Sequence, residues 1–201
     1  MHKSIALLVT FPLLVACNQR ATPDQAASAA GPSSAAGSSS ASSPKGASAG
    51  TALRLRLLNG KPGEFGISDP GVVWAVAMDM GLGSPGEVAT VTALADGNAS
   101  LYTTGSFGII GGFAHSRVHA AAVHACATAE KVVATATSAK TFPYPEPAHI
   151  RFYLLTPSGV RTAEATEDEL VSGKHPLAEL FSGMNNVLTE LRAVAEAGEA
   201  G

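Results

Sequence analysis

His115 and His119 stand four residues apart, a spacing that on a helix sets two imidazoles on neighbouring turns of one side. Such a pair can begin a zinc or copper site, which needs a third or fourth ligand. His124 lies nine positions beyond His115, about half a turn round such a helix, so it does not simply join them. His149 and His175 are distant contributors with no spacing argument behind them. An exposed pair that binds nothing explains the same residues, and the sequence favours that reading.

Residues 105–112 (Gly-Ser-Phe-Gly-Ile-Ile-Gly-Gly) offer a second chemistry. Gly108, Gly111 and Gly112 precede a helical pattern, where backbone N–H groups and the positive helix end can meet an anion or small ligand. This segment lacks the Gly-Lys-Ser/Thr ending of a phosphate loop and the dinucleotide spacing. Tight corners and close packing use glycines in the same way. Glu164, Glu167, Asp168 and Glu169 form an acidic cluster suited to acid–base work or calcium, but without the alternating ligands and central glycine of an EF-hand. Carboxylates opening a short helical turn or solvating a loop are the plainer reading. Cys126 falls beside an apolar stripe, and a nucleophilic cysteine needs a depressed pKa and a partner base. His119 and Glu130 are its nearest candidates, although a buried, inert thiol is the plainer reading.

The elements that would position these groups are readable from pattern. Residues 72–80, 87–94 and 99–104 read as strands, the last two joined by the tight-turn pair Asp96-Gly97. A helix is predicted over 114–139, with Val118, Ala122, Ala125, Ala129, Val132 and Ala136 along one small-residue face. Prolines within 141–147 break it. Residues 150–156 and 160–165 form a second hairpin around Pro157-Ser158-Gly159. A final helix begins near Pro176 and carries Leu177, Leu180, Met184, Val187, Leu191 and Val194. The predicted fold class is α+β: a five-stranded, largely antiparallel sheet packed by two helices in the order β-β-β-α-β-β-α. Residues 53–58 are a candidate edge strand. Trp74, Phe107, Phe152 and Tyr153 are expected in the core, and joint exposure of several would mark a contact surface.

The N-terminal segment differs from all of this. Lys3 gives a positive start, residues 5–14 an apolar run, and Leu14-Val15-Ala16-Cys17 ends it with a small residue before a cysteine. The run is shorter than the roughly 20 apolar residues a bilayer span requires. The segment closely resembles the signal and lipobox of bacterial lipoproteins. That resemblance implies a signal peptide at 1–16, cleavage before Cys17, and diacylglycerol and acyl (palmitate-type) chains on Cys17. A single chain binds membranes marginally, whereas several on one residue hold firmly. Asn18 in place of aspartate implies, in a Gram-negative cell, the outer membrane facing the periplasm.

Residues 17–50 are then the lipidated cysteine and a linker that beyond position 20 is almost entirely Ala, Ser, Gly and Pro. Such a composition buries little and cannot offset its ordering entropy, so it reads as a disordered tether reaching about 30 Å. Residues 51–201 form a single domain. With Cys17 lipidated, Cys126 has no partner for an intramolecular disulfide. The net charge of −3, with no basic stripe, argues against nucleic acid.

Val73-Trp74-Ala75-Val76, Ser100-Leu101-Tyr102 through Gly108–Gly112, Arg151-Phe152-Tyr153-Leu154, Thr162–Ala165 and His175-Pro176-Leu177 with Leu180-Phe181 resemble an uncharacterised family of bacterial proteins. That resemblance implies domain boundaries and no activity. At fold level a five-stranded sheet with helices is also similar to roadblock and profilin-like partner-binding modules, although the element order departs from the roadblock order. The expectation is therefore a membrane-anchored, non-enzymatic binding module of the cell envelope, with an envelope protein as partner and no cofactor. The alternatives are a small-ligand or metal-binding domain, or an enzyme whose site assembles only in the fold.

Overall fold

The structure is a computed structural model and describes residues 48–105 and 107–199. Residues 14–17, read above as resembling a lipobox, and most of the expected linker lie outside the described residues. The described chain is α+β, with one seven-stranded sheet in which every pairing is antiparallel. Its strands are β1 (Ala75–Gly81), β2 (Val88–Leu94), β3 (Ala99–Thr103), β4 (Gly108–Ile110), β5 (Thr137–Ser138), β6 (His149–Thr156) and β7 (Gly159–Thr166), in the order β4-β3-β2-β1-β6-β7-β5. The helices are α1 (Ala49–Asn59), α2 (Ser116–Val132), α3 (Glu167–Val171) and α4 (Ala178–Glu199).

The hairpin signals act as their chemistry dictates. Asp96 accepts the Asn98 N–H at 3.0 Å and Gly97 takes φ +87°, which turns β2 back into β3 with Ala93 opposite Ala99. Pro157 and Ser158 turn β6 into β7 between Thr156 and Gly159.

Strands alternate their side chains between two faces. On one face Val76 and Met78 of β1, Val91 of β2 and Phe152 and Leu154 of β6 pack against α2 and α4. Ala121, Ala122, Ala125 and Ala129 make α2 thin, and Gly183 of α4 approaches Ala125 closely: a Cβ there would lie 3.8 Å from the Ala125 Cα. Leu180, Met184, Val187 and Leu191 of α4 fill this core, each stabilising by roughly 1.5–3 kcal/mol on burial. On the other face Trp74, Ala75, Ala77, Tyr153 and Leu155 pack with Leu57, Leu58 and Ile67. Coverage of both faces explains why β1 reads as a nearly unbroken apolar run.

Three expectations need correction. The five strands are seven, because β4 and β5 are only three and two residues long and carry no readable period. Residues 53–58 are not an edge strand but part of α1, whose buried residues Arg54, Leu57 and Leu58 have helical spacing. The alternation of Leu and Arg looks like a strand only if arginine is assumed to face water. Two helices are four, since α1 and the five-residue α3 join α2 and α4. In addition α2 runs from Ser116 to Val132 rather than over 114–139, and the chain leaves it through a turn into β5.

Candidate functional site

The face of the sheet under α1 carries the polar groups. Asp79 projects from β1 toward α1, with Thr90 of β2 and Arg151 of β6 as its register neighbours. Arg54 of α1 donates from Nε to both Asp79 oxygens at 3.1 and 2.9 Å, and from Nη2 to Oδ2. The Thr90 hydroxyl donates to Asp79 Oδ1 at 2.6 Å, and Arg54 Nη1 donates to the Phe142 carbonyl at 3.1 Å. The guanidinium also lies 4.2 Å from the Tyr144 ring centre and 5.3 Å from that of Tyr153. Burial pushes the Asp79 carboxyl up, against the pull of Arg54 and Thr90. For Arg54 burial works against the charge, but the Asp79 hydrogen bonds and charge outweigh it and its pKa is raised. This network holds α1 to the sheet.

Beside it, toward the β5 edge, a polar cleft of about 350 Å³ is lined by residues of 137–143, Arg151, Tyr153 and 162–164. Arg151 donates from Nε to Glu164 Oε2 at 2.8 Å, again to Oε2 from Nη2, and from Nη1 to the Pro143 carbonyl at 3.1 Å. Burial lowers the Arg151 pKa, but hydrogen bonding and charge from Glu164 and Tyr153 together outweigh it and the net shift is up. The Tyr153 hydroxyl donates to the Pro143 carbonyl at 2.6 Å, and burial raises its pKa so that the donor stays protonated. Thr162 Oγ1 is shielded from solvent and has no hydrogen-bond partner among the described residues. An unpaired buried hydroxyl costs about 1–3 kcal/mol.

A second, apolar groove runs between α1 and the opposite edge of the sheet. Two adjoining hollows of about 400 and 240 Å³ share Leu53, Tyr102 and Ile110. Phe107 and Ile110 are 59% and 69% exposed on it, and β4 is an outer strand of the sheet. Ser48, the first described residue, lines one end. Gly50 lets α1 lie close to β3, since a Cβ would come within 2.4 Å of the Thr103 carbonyl oxygen.

The residues singled out from sequence are scattered. His115 is the exposed N-cap of α2 with extended backbone, so the helical spacing assumed for it and His119 does not hold at its own position. His119 is half-buried against the β2–β3 turn, where a Cβ on Gly97 would fall 1.9 Å from its Nδ1. Among the described residues no group of three or more His, Cys, Asp or Glu is arranged to hold a metal ion. Gly111 has φ +86° and turns the chain, while Gly112 packs on Val118, 2.4 Å from a would-be Cβ. Gly108 belongs to β4, and a three-residue 3-10 turn (Gly112–Ala114) separates this corner from α2.

The acidic residues divide. Glu167, Asp168 and Glu169 form the first turn of α3, where Thr166 and Glu169 make a reciprocal capping box. Hydrogen bonds from the Thr166 backbone and hydroxyl pull the Glu169 carboxyl below its ordinary range. Glu164 alone reaches the polar cleft. Cys126 is buried, its thiol donating toward the Ala93 carbonyl at 3.5 Å, and burial together with the Asp96 and Glu130 charges pushes it up to about 12. It is a thiol, not a nucleophile, at neutral pH. Of the four aromatic residues, Trp74, Phe152 and Tyr153 are buried and Phe107 is exposed.

Two further motif spellings occur in the chain, and in each the local structure differs from that of the motif's usual site. Residues 81–86 spell Gly-x-Gly-x-x-Gly after a strand, but they lead into β2 and not into the helix a dinucleotide site requires. Residues 46–50 spell Gly-x-Ser-x-Gly, and Ser48 caps α1 by accepting the Thr51 N–H at 3.2 Å. Its hydroxyl also meets the Thr51 hydroxyl, with no histidine among these contacts. The polar cleft itself was missed: its members come from three separated stretches, and only Glu164 carried a signal.

No described helix is long and apolar enough to cross a membrane. No protein-family model, curated protein or solved structure matches this chain.

Proposed function

We propose that this protein is a bacterial lipoprotein, anchored through Cys17, whose α+β domain is a non-enzymatic binding module of the cell envelope. The observation that carries the binding reading is the apolar groove between α1 and β4, where Phe107 and Ile110 stand exposed beside Leu53 and Tyr102. Open apolar surface next to an outer strand suits an apolar, extended segment of an envelope protein. The Leu14-Val15-Ala16-Cys17 signal and the Ala/Ser/Gly/Pro linker support the anchored setting, with the outer membrane facing the periplasm as its location in a Gram-negative cell. A small-ligand reading is favoured by one specific observation, the polar cleft at Arg151 and Glu164.

The anchor is tested by labelling cells with a radioactive or alkyne-bearing fatty acid. The natural chain takes up label and sediments with membranes, whereas Cys17→Ser does neither. The groove is tested by Ile110→Asp, which abolishes partner capture while leaving the melting temperature unchanged. Label on Cys17→Ser, or capture undiminished by Ile110→Asp, contradicts the corresponding half of the reading.

A further inference from the structure

We propose that the partner of the α1–β4 groove is a second copy of this chain, joined by antiparallel pairing of β4 with β4 about a two-fold axis that sets Ile109 opposite itself. The inference rests on the reading of that groove as a binding surface and names its occupant.

Three observations select a second copy. First, β4 presents an unguarded edge. The Thr103 N–H donates to the Phe107 carbonyl at 3.0 Å, which fixes the phase of the β3–β4 pairing. Alternation then turns the Ile109 N–H and carbonyl toward β3 and leaves those of Gly108 and Ile110 facing outward. Outer strands are ordinarily protected by charge or proline. Residues 97–114 contain neither. Second, a two-fold interface must be self-complementary, and residues 107–111 (Phe-Gly-Ile-Ile-Gly) are so about Ile109. Ile110 falls opposite Gly108 of the second copy, and Phe107 opposite Gly111 just past the strand. Each exposed large side chain thus meets a residue that has none. The same register joins the outward groups of Gly108 and Ile110 in two hydrogen-bonded pairs. Third, the chain carries a net −3, so copies meeting through charged faces repel. The larger hollow, which Gly108 lines, has no charged residue, and Arg56 is the one charge lining the smaller. Strands of three residues make a small join, so association is weak in dilute solution and strengthens where tethers hold copies on one membrane.

The test combines crosslinking with sedimentation. Ile109→Cys in the otherwise natural chain, oxidised mildly in envelope membranes, gives a covalent dimer. Opposed residues of a non-hydrogen-bonded pair lie about 4.5 Å apart at Cα, within disulfide reach. Val171→Cys, exposed on α3, gives none. The full chain carrying Cys17→Ser, sedimented between about 10 µM and about 1 mM, shows a dimer. Ile110→Asp sets carboxylates into the uncharged join and weakens both signals about tenfold or more. Its thermal midpoint is unchanged, because Ile110 is 69% exposed. The proposal is overturned if the chain sediments as a monomer throughout, if Val171→Cys crosslinks as readily as Ile109→Cys, or if Ile110→Asp leaves either signal unchanged. A monomeric chain whose Ile110 crosslinks in cells to a protein of another mass overturns the second copy and leaves the groove reading standing. A monomeric chain that forms no adduct at all removes both.

Discussion

Arg54 and Asp79 meet as a buried, two-pronged ion pair, with side chains 2% and 0% exposed. The pair links α1, the first described helix, to the central strand β1 across 25 positions of sequence. Around it the Thr90 hydroxyl, the Phe142 carbonyl and the Tyr144 and Tyr153 rings satisfy the remaining charge.

Removing one partner strands the other charge in the interior. Arg54→Met or Asp79→Leu should each cost about 3–5 kcal/mol. The double variant should recover most of that loss, since two apolar side chains of similar size need no partner. Urea unfolding of the three variants measures both effects, and additive losses would show that the pair is not coupled as its geometry requires.

Gly97 is indispensable for two separate reasons. Its φ of +87° strains any side chain, and a Cβ would fall 1.9 Å from His119 Nδ1. Gly97→Ala should destabilise by more than the ~1–2 kcal/mol of left-handed strain alone. In a His119→Ala background the penalty should shrink toward that strain, as a double-mutant cycle would record.

Cys126 should resist thiol reagents in the folded protein and react promptly in denaturant. Its pKa is pushed from about 9 to about 12 by burial and by the Asp96 and Glu130 charges. The unfolded thiol ionises first, so this contribution to stability is complete below about pH 9 and declines as pH rises toward 12. Cys126→Ala should flatten that part of the stability profile, measured by unfolding at successive alkaline pH values.

The legible parts of the fold were those with a local cause. Asp96-Gly97 and Pro157-Ser158-Gly159 announce their turns, and the apolar faces of α2 and α4 announce their helices. Residues 53–58 mislead because Arg54 is buried by a partner 25 positions away, which no local period reveals. Strands as short as β4 and β5 hold no period at all. His115 and His119 look like a pair only while both are assumed helical, and the helix begins one residue after His115. The polar cleft was illegible because Lys140, Arg151 and Thr162 become neighbours only through the β5–β7 and β6–β7 registers.

The proposed function joins a tether at Cys17 to binding through the α1–β4 groove. In-cell photo-crosslinking tests it most directly, with the reactive residue placed at Phe107 or Ile110 and, as a control, at exposed Val171 of α3. One discrete protein adduct is expected from Phe107 and Ile110, none from Val171, and a marked loss when Cys17→Ser removes the anchor. Adducts formed equally from all three positions, or unaffected by Cys17→Ser, would contradict it.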